Sequence, residues 1–185
     1  MSIKINYKNI ISKKNTANLV FFVDEKFNTS VLKKYISNFE LSYISDLLKN
    51  CDLKKKLFVF ELSSKKKIIL ISIKKSIKIS EIENLGAEFY KKVNFGKNSE
   101  YFVYADTILN KGKNLLGHFL HGLKLKSYEF KKYISKKEFR EITINVIGKN
   151  KPSVSTILKF TALEEGTFYA RDLVSEPGNI LHPDE

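Results

Sequence analysis

The chain has no tryptophan, one cysteine, one methionine and, among 33 basic residues, only two arginines, Arg140 and Arg171. Glycine and proline are missing from the first 85 residues, and all three prolines fall at position 152 or later. Each scarcity closes a class of reading. A single thiol, Cys51, cannot build an intrachain disulfide framework and suits a reducing cytoplasm. With no glycine before Gly86, the early strand-to-helix turns cannot form a dinucleotide or P-loop cradle, where backbone amides must converge on phosphate. No apolar run approaches the ~18 residues of a membrane span, and Met1-Ser2-Ile3-Lys4 opens no signal peptide, so no membrane partner is expected. No Gly-x-Ser-x-Gly elbow is present for a serine nucleophile.

What is abundant is apolar mass and lysine. The 43% hydrophobic content, with 14 Phe and nine Tyr, argues against disorder. A length of 185 residues fits one domain, or one domain plus a piece of another. The net charge of +13 invites a nucleic-acid reading, yet 31 of the basic residues are Lys, a point charge rather than the bidentate fork of Arg. Lys, Ile and Asn all have A/T-rich codons and together fill 66 positions, so an AT-biased genome yields this composition without selection for a polyanion partner.

The charge is unevenly placed. Residues 1–160 carry a net of +18 and residues 161–185 a net of −5, which marks two differently composed segments. Gly148-Lys149-Asn150-Lys151-Pro152-Ser153 is the clearest turn or linker signal between them. In the first segment, Ile3, Ile5 and Tyr7 alternate as in a half-buried strand, while Leu19–Val23 reads as a strand buried on both faces. Residues about 30–50 read as helix in two pieces, and Leu57–Phe60 and Ile68–Ile71 as strands separated by Ser63-Ser64-Lys65. Ser80 is expected to cap a helix that presents Ile82, Leu85, Gly86, Phe89 and Val93 on one face and ends at Gly96. Tyr101–Tyr104 and Glu141–Ile147 read as strands, about 112–125 as helix, and about 153–175 as a final helix ending before Pro177-Gly178. Strands alternating with helices predict an α/β fold, with helices covering a mostly buried sheet.

Chemistry is sparse. His118 and His121 lie three apart on one helix face, but no third metal ligand is evident, and His182 stands in a loop with no partner. Asp52 beside Cys51 opposes thiolate formation, which argues against a catalytic thiol. Tyr128-Glu129-Phe130-Lys131-Lys132-Tyr133 interleaves aromatics with lysines. It reads either as base stacking with phosphate contacts or as an amphipathic stretch packed inward.

The C-terminal run is the most specific part of the chain. Ala170-Arg171-Asp172-Leu173, followed by Pro177, Asn179 and Pro183, resembles the leucyl (cytosol) aminopeptidase family, whose corresponding helix leads into Asn-x-Pro-x-Asn-x-x-x-Pro; Ser175 stands where Asn is usual. Gly122, Leu125, Tyr128, Phe130 and Tyr133 resemble its Gly-x-x-Leu-x-x-Tyr-x-Phe-x-x-Tyr signature, and Leu85-Gly86-Ala87 sits where the family has a Gly-Ala helix. The resemblance implies a non-catalytic N-terminal α/β domain, macro-domain-like, with a mixed, mostly parallel sheet flanked by helices and followed by a long C-terminal linker helix. On this expectation residues 1–150 form the domain, 151–176 the inter-domain helix, and 177–185 the opening of a catalytic half that is missing, as in a truncated piece. The family's Asn-Thr-Asp-Ala-Glu-Gly-Arg motif does not occur. No catalytic, metal or cofactor residue is therefore expected here, and the family-signature residues Gly122, Tyr128, Phe130, Ala170, Arg171, Leu173, Pro177, Asn179 and Pro183 are expected to be structural. The parent enzyme is expected to be a homo-hexamer that holds two divalent metal ions, Mn or Zn, and takes peptides. The final helix, lacking its partner domain, is expected to expose Ile157, Phe160, Leu163 and Leu173. Two other readings stand beside this one: nucleic-acid binding through the Lys-rich surface, and nucleotide or ADP-ribose binding by analogy with macro domains, which the lack of glycine-rich loops disfavours.

Overall fold

A computed structural model describes residues 2–8, 18–93, 99–108, 114–135, 141–178 and 180. Six strands form one sheet: β1 (Ser2–Lys8), β2 (Asn18–Val23), β3 (Leu57–Ser63), β4 (Lys66–Ser72), β5 (Ser99–Tyr104) and β6 (Glu141–Ile147). Their spatial order is β1-β6-β5-β2-β4-β3. Every neighbouring pair is parallel except the β3–β4 hairpin. The helices are α1 (Asn38–Lys49), α2 (Ile79–Val93), α3 (Leu115–Lys126) and α4 (Val154–Ser175). The expected mixed, mostly parallel sheet flanked by helices is present.

Strand β2 lies inside the sheet, and its alternate residues serve opposite faces. Val20 and Phe22 pack with Ile82, Leu85 and Phe89 of α2 and with Phe119 and Leu123 of α3. Leu19, Phe21 and Val23 pack with Ile44 and Leu48 of α1 and with Leu32. Both faces are therefore covered, which is why this run is continuously apolar rather than alternating. On edge strand β1, Ile3 is buried and Ile5, Asn6 and Tyr7 are half-buried, while Lys4 and Lys8 are exposed.

Three sequence expectations are corrected. The first piece of the 30–50 helix is a 3₁₀ turn, Thr29–Lys34, capped by Asn28, and α1 then restarts at a Ser37–Glu40 capping box. Ser80 does not cap α2. The helix begins one residue before it, at Ile79, and the Glu81 carboxylate reaches back to accept from the Lys78 backbone N–H. The expected Gly96 cap lies outside the described residues. The third helix starts at Leu115 rather than about 112, with Asn114 left-handed at φ 50° immediately before it.

Helices α2 and α3 cross at two glycines. A Cβ on Gly86 would sit 2.0 Å from the Phe119 carbonyl oxygen, and one on Gly122 would sit 2.0 Å from the Glu83 carbonyl oxygen. Only glycine at both positions lets the two backbones approach this closely. The linker signal at 148–153 is likewise a built turn. Gly148 adopts φ 118°, and Asp106 accepts from the backbone N–H groups of Lys149 (2.9 Å) and Asn150 (3.0 Å), aiming the chain into α4.

Candidate functional site

The residues singled out in the sequence converge where α4 lies against α3 and the segment after it. Ser153 caps α4 by accepting from the Thr156 N–H, so the helix starts where the turn delivers it. One face of α4 turns inward. Phe160, expected to be exposed, is buried because it is wedged between the two histidines of α3, its ring centroid 4.9 Å from each imidazole. Ile157 is half-buried, whereas Leu163 and Leu173 are exposed as expected, and so are Val154, Leu158, Tyr169 and Val174.

His118 and His121 are each held by a carboxylate from a different helix. His118 Nδ1 lies 2.8 Å from Glu83 Oε1 of α2, and His121 Nδ1 lies 3.0 Å from Glu164 Oε1 of α4. Sequence spacing showed the pair but not its partners, which come from 35 and 43 residues away. Among the described residues there is no group of three or more His, Cys, Asp or Glu that could hold a metal ion. Glu164 is largely buried, and burial pushes its carboxyl above the ordinary range, against the opposing pull of His121 and Lys124. Cys51 is half-buried at the end of α1.

Further along α4 lies a second set of contacts. Tyr128 Oη donates to Asp172 Oδ1 at 2.8 Å, and its ring packs against Phe168 at 5.5 Å. Arg171 lies over the same ring, 5.4 Å from its centroid, while its Nη1 donates to the Leu125 carbonyl at 2.7 Å. That carbonyl belongs to the last turn of α3, where no intrahelical donor remains, so the guanidinium closes the helix end. One turn on, Glu176 takes Lys132 Nζ at 2.6 Å and the Tyr133 hydroxyl, and these bonds hold its carboxyl below the usual range. Phe130 packs against Tyr133 at 5.8 Å between centroids.

The two signature blocks thus meet in space through Tyr128 and Arg171. Gly122 belongs to the α2–α3 crossing instead, and Ala170, Leu173 and Pro177 are exposed. Asn179 and Pro183, with His182 and Arg140, lie outside the described residues. In the 128–133 stretch, Tyr128 is bonded to Asp172 of α4, and Lys132 and Tyr133 are bonded to Glu176 at its C-terminal cap. Residues that sequence reasoning missed are Glu83, Glu164, Asp172 and Glu176. The −5 charge of the tail was the available signal for the last three.

No protein-family model matches the chain. A probable cytosol aminopeptidase of Clostridium perfringens (strain 13 / Type A) is 35% identical over 128 residues, covering 63% of this chain and 26% of that protein. The chain spans about a quarter of the length of the curated relatives it matches. Among solved structures, a tomato leucine aminopeptidase mutant aligns with a TM-score of 0.66 at 16% identity, over 99% of this chain and 40% of that one. The bottromycin maturation enzyme in complex with Mn aligns with a TM-score of 0.58 at 13% identity, over 91% of this chain and 34% of that one. At these identities the solved structures speak to fold and the curated proteins to descent. Within no helix of the described residues is there a segment long and apolar enough to cross a membrane. The chain is thus similar, over part of their length, to proteins named cytosol aminopeptidase, and its fold to that of a leucine aminopeptidase.

Proposed function

We propose that this chain is the non-catalytic N-terminal domain of a leucyl aminopeptidase, a two-metal exopeptidase that releases N-terminal residues, preferably Leu, from peptides. Residues 1–150 form the α/β body, 151–176 the helix that joins it to the catalytic part, and 177–185 the opening of that part. The observation that carries this reading is the contact between Tyr128 and Arg171, which unites the two sequence blocks that resemble the family. It sets the direction of α4 relative to the sheet, so the domain works as a rigid handle for assembly or regulation rather than as a reaction centre. In the parent enzyme two divalent ions, Mn or Zn, would activate the attacking water. We place the parent in the cytoplasm, as a homo-hexamer.

The alternative, nucleic-acid binding through lysines, is less well supported. The lysine-lined groove formed by Lys54, Lys55, Lys56 and Lys92 is shared with Glu81 and Glu88, and Lys56 lies 3.6 Å from Glu81. A groove of mixed sign is a poor track for a phosphate backbone. The deciding assay is hydrolysis of leucine p-nitroanilide by the purified chain with Mn²⁺ or Zn²⁺. No turnover above the metal blank is expected, and robust metal-dependent turnover would overturn the non-catalytic assignment.

A further inference from the structure

A cavity of about 230 Å³ lies between β1, α3 and α4, away from the Tyr128–Arg171 contact. At the ~30 Å³ that one water occupies in the liquid, it has room for roughly eight waters or for one small organic molecule. Its apolar wall includes Ile5, Leu120, Ile157 and Phe160. Its polar wall includes Tyr7, His121, Lys124, Thr161 and Glu164, which bring a lysine and a carboxyl group to one space together with hydroxyl and imidazole groups.

These polar groups are incompletely used. Glu164 spends one oxygen on His121 Nδ1, and among the described residues its other oxygen has no hydrogen bond. In the neutral tautomer that donates from Nδ1, His121 Nε2 is an acceptor, and it too has no hydrogen bond among the described residues. The Tyr7 hydroxyl is in the same position, and burial with nearby Glu164 pushes it up to about 12. Lys124 Nζ gives one proton to the Ile3 carbonyl at 2.9 Å and has two to offer. Glu164 and Lys124 line the same space without an ion pair between them within 4 Å among the described residues, and each keeps hydrogen-bonding capacity for a ligand that spans them.

We propose that this cavity binds a small aliphatic α-amino acid, its ammonium held by Glu164 and His121, its carboxylate by Lys124, and its side chain against Ile157 and Phe160. Because α4 and α3 both line it, occupancy would tie α4 more firmly to the body of the domain. The proposal stands on the cavity alone and is independent of the aminopeptidase reading.

Thermal unfolding and calorimetry of the whole chain with L-valine, a small aliphatic α-amino acid, supply the test. Saturable binding is expected, with the unfolding midpoint raised by roughly 3–6 °C at ten times Kd. Isobutylamine and isovalerate, each carrying one of the two charges, should bind at least tenfold more weakly. Glu164→Gln, which keeps an acceptor for His121, should abolish valine binding while leaving the fold intact, and Ile157→Phe should do so by filling the space. Absence of saturable binding, meaning that ordered water alone fills the cavity, would overturn the proposal. So would binding of isobutylamine as tight as that of valine, or binding unchanged in both variants.

Discussion

Arg171 makes two contacts that no other side chain could combine. Its planar guanidinium covers the Tyr128 ring and still donates in plane to the Leu125 carbonyl. Arg171→Ala should cost about 1–2 kcal/mol, read as a fall in denaturant midpoint, and Arg171→Lys should recover little because an ammonium cannot stack. Two carboxylates of the same region respond oppositely to pH. Glu176 has a depressed folded-state pKa through Lys132 and Tyr133, so its contribution is present above the ordinary carboxylate range and lost as pH falls through it. Glu164 has a raised one through burial, so it opposes folding when ionised and stops doing so as pH falls. Unfolding followed from about pH 6 to about pH 3 should show Glu176→Gln flattening the acid loss and Glu164→Gln steepening it. Equal profiles for both variants would contradict these environments.

At the scale of elements, the α2–α3 crossing is the least forgiving contact in the fold. The clash at Gly86 and Gly122 is with backbone carbonyls, which cannot swing away as a side chain can. Gly86→Ala or Gly122→Ala should each destabilise by about 1–3 kcal/mol or more, lowering the unfolding midpoint even though Ala is the better helix former. Gly166 is the internal control. It lies on α4 with nothing within 4 Å of a Cβ, so Gly166→Ala should be neutral or stabilising by up to about 1 kcal/mol, as helix propensity alone dictates. Comparing the three by circular dichroism separates close approach from propensity. A uniform response would show that the crossing tolerates a methyl group. Helix α4 itself has one face bonded to the body and another that exposes Leu158, Tyr169 and Val174.

For the whole molecule, the positive charge is spread over residues 1–160 and is partly answered by Glu164 of α4 and Glu176 at its C-terminal cap, which pair with His121 and Lys132. Association with single-stranded or duplex DNA should therefore be undetectable at about 100 mM salt by fluorescence anisotropy; persistence there with a steep salt slope would restore the nucleic-acid reading. Much of the architecture was legible beforehand. Strand β6 and helix α4 match their expected spans because alternation and a capped periodic run are local signals. The start of α2 was misplaced by two residues: Lys78 rather than Ser80 precedes its first helical residue, and the Glu81 carboxylate accepts from the Lys78 N–H. By itself the sequence determined which segments are strands and helices, that β2 is buried on both faces, and that composition breaks near residue 150, since each follows from side-chain period and charge along the chain. Only the tertiary structure decided that Phe160 faces inward, that the histidines are matched to Glu83 and Glu164, and that Arg171 closes the end of α3. Those partners lie 35 to 46 residues apart, beyond any local period, and packing alone brings them within hydrogen-bond reach.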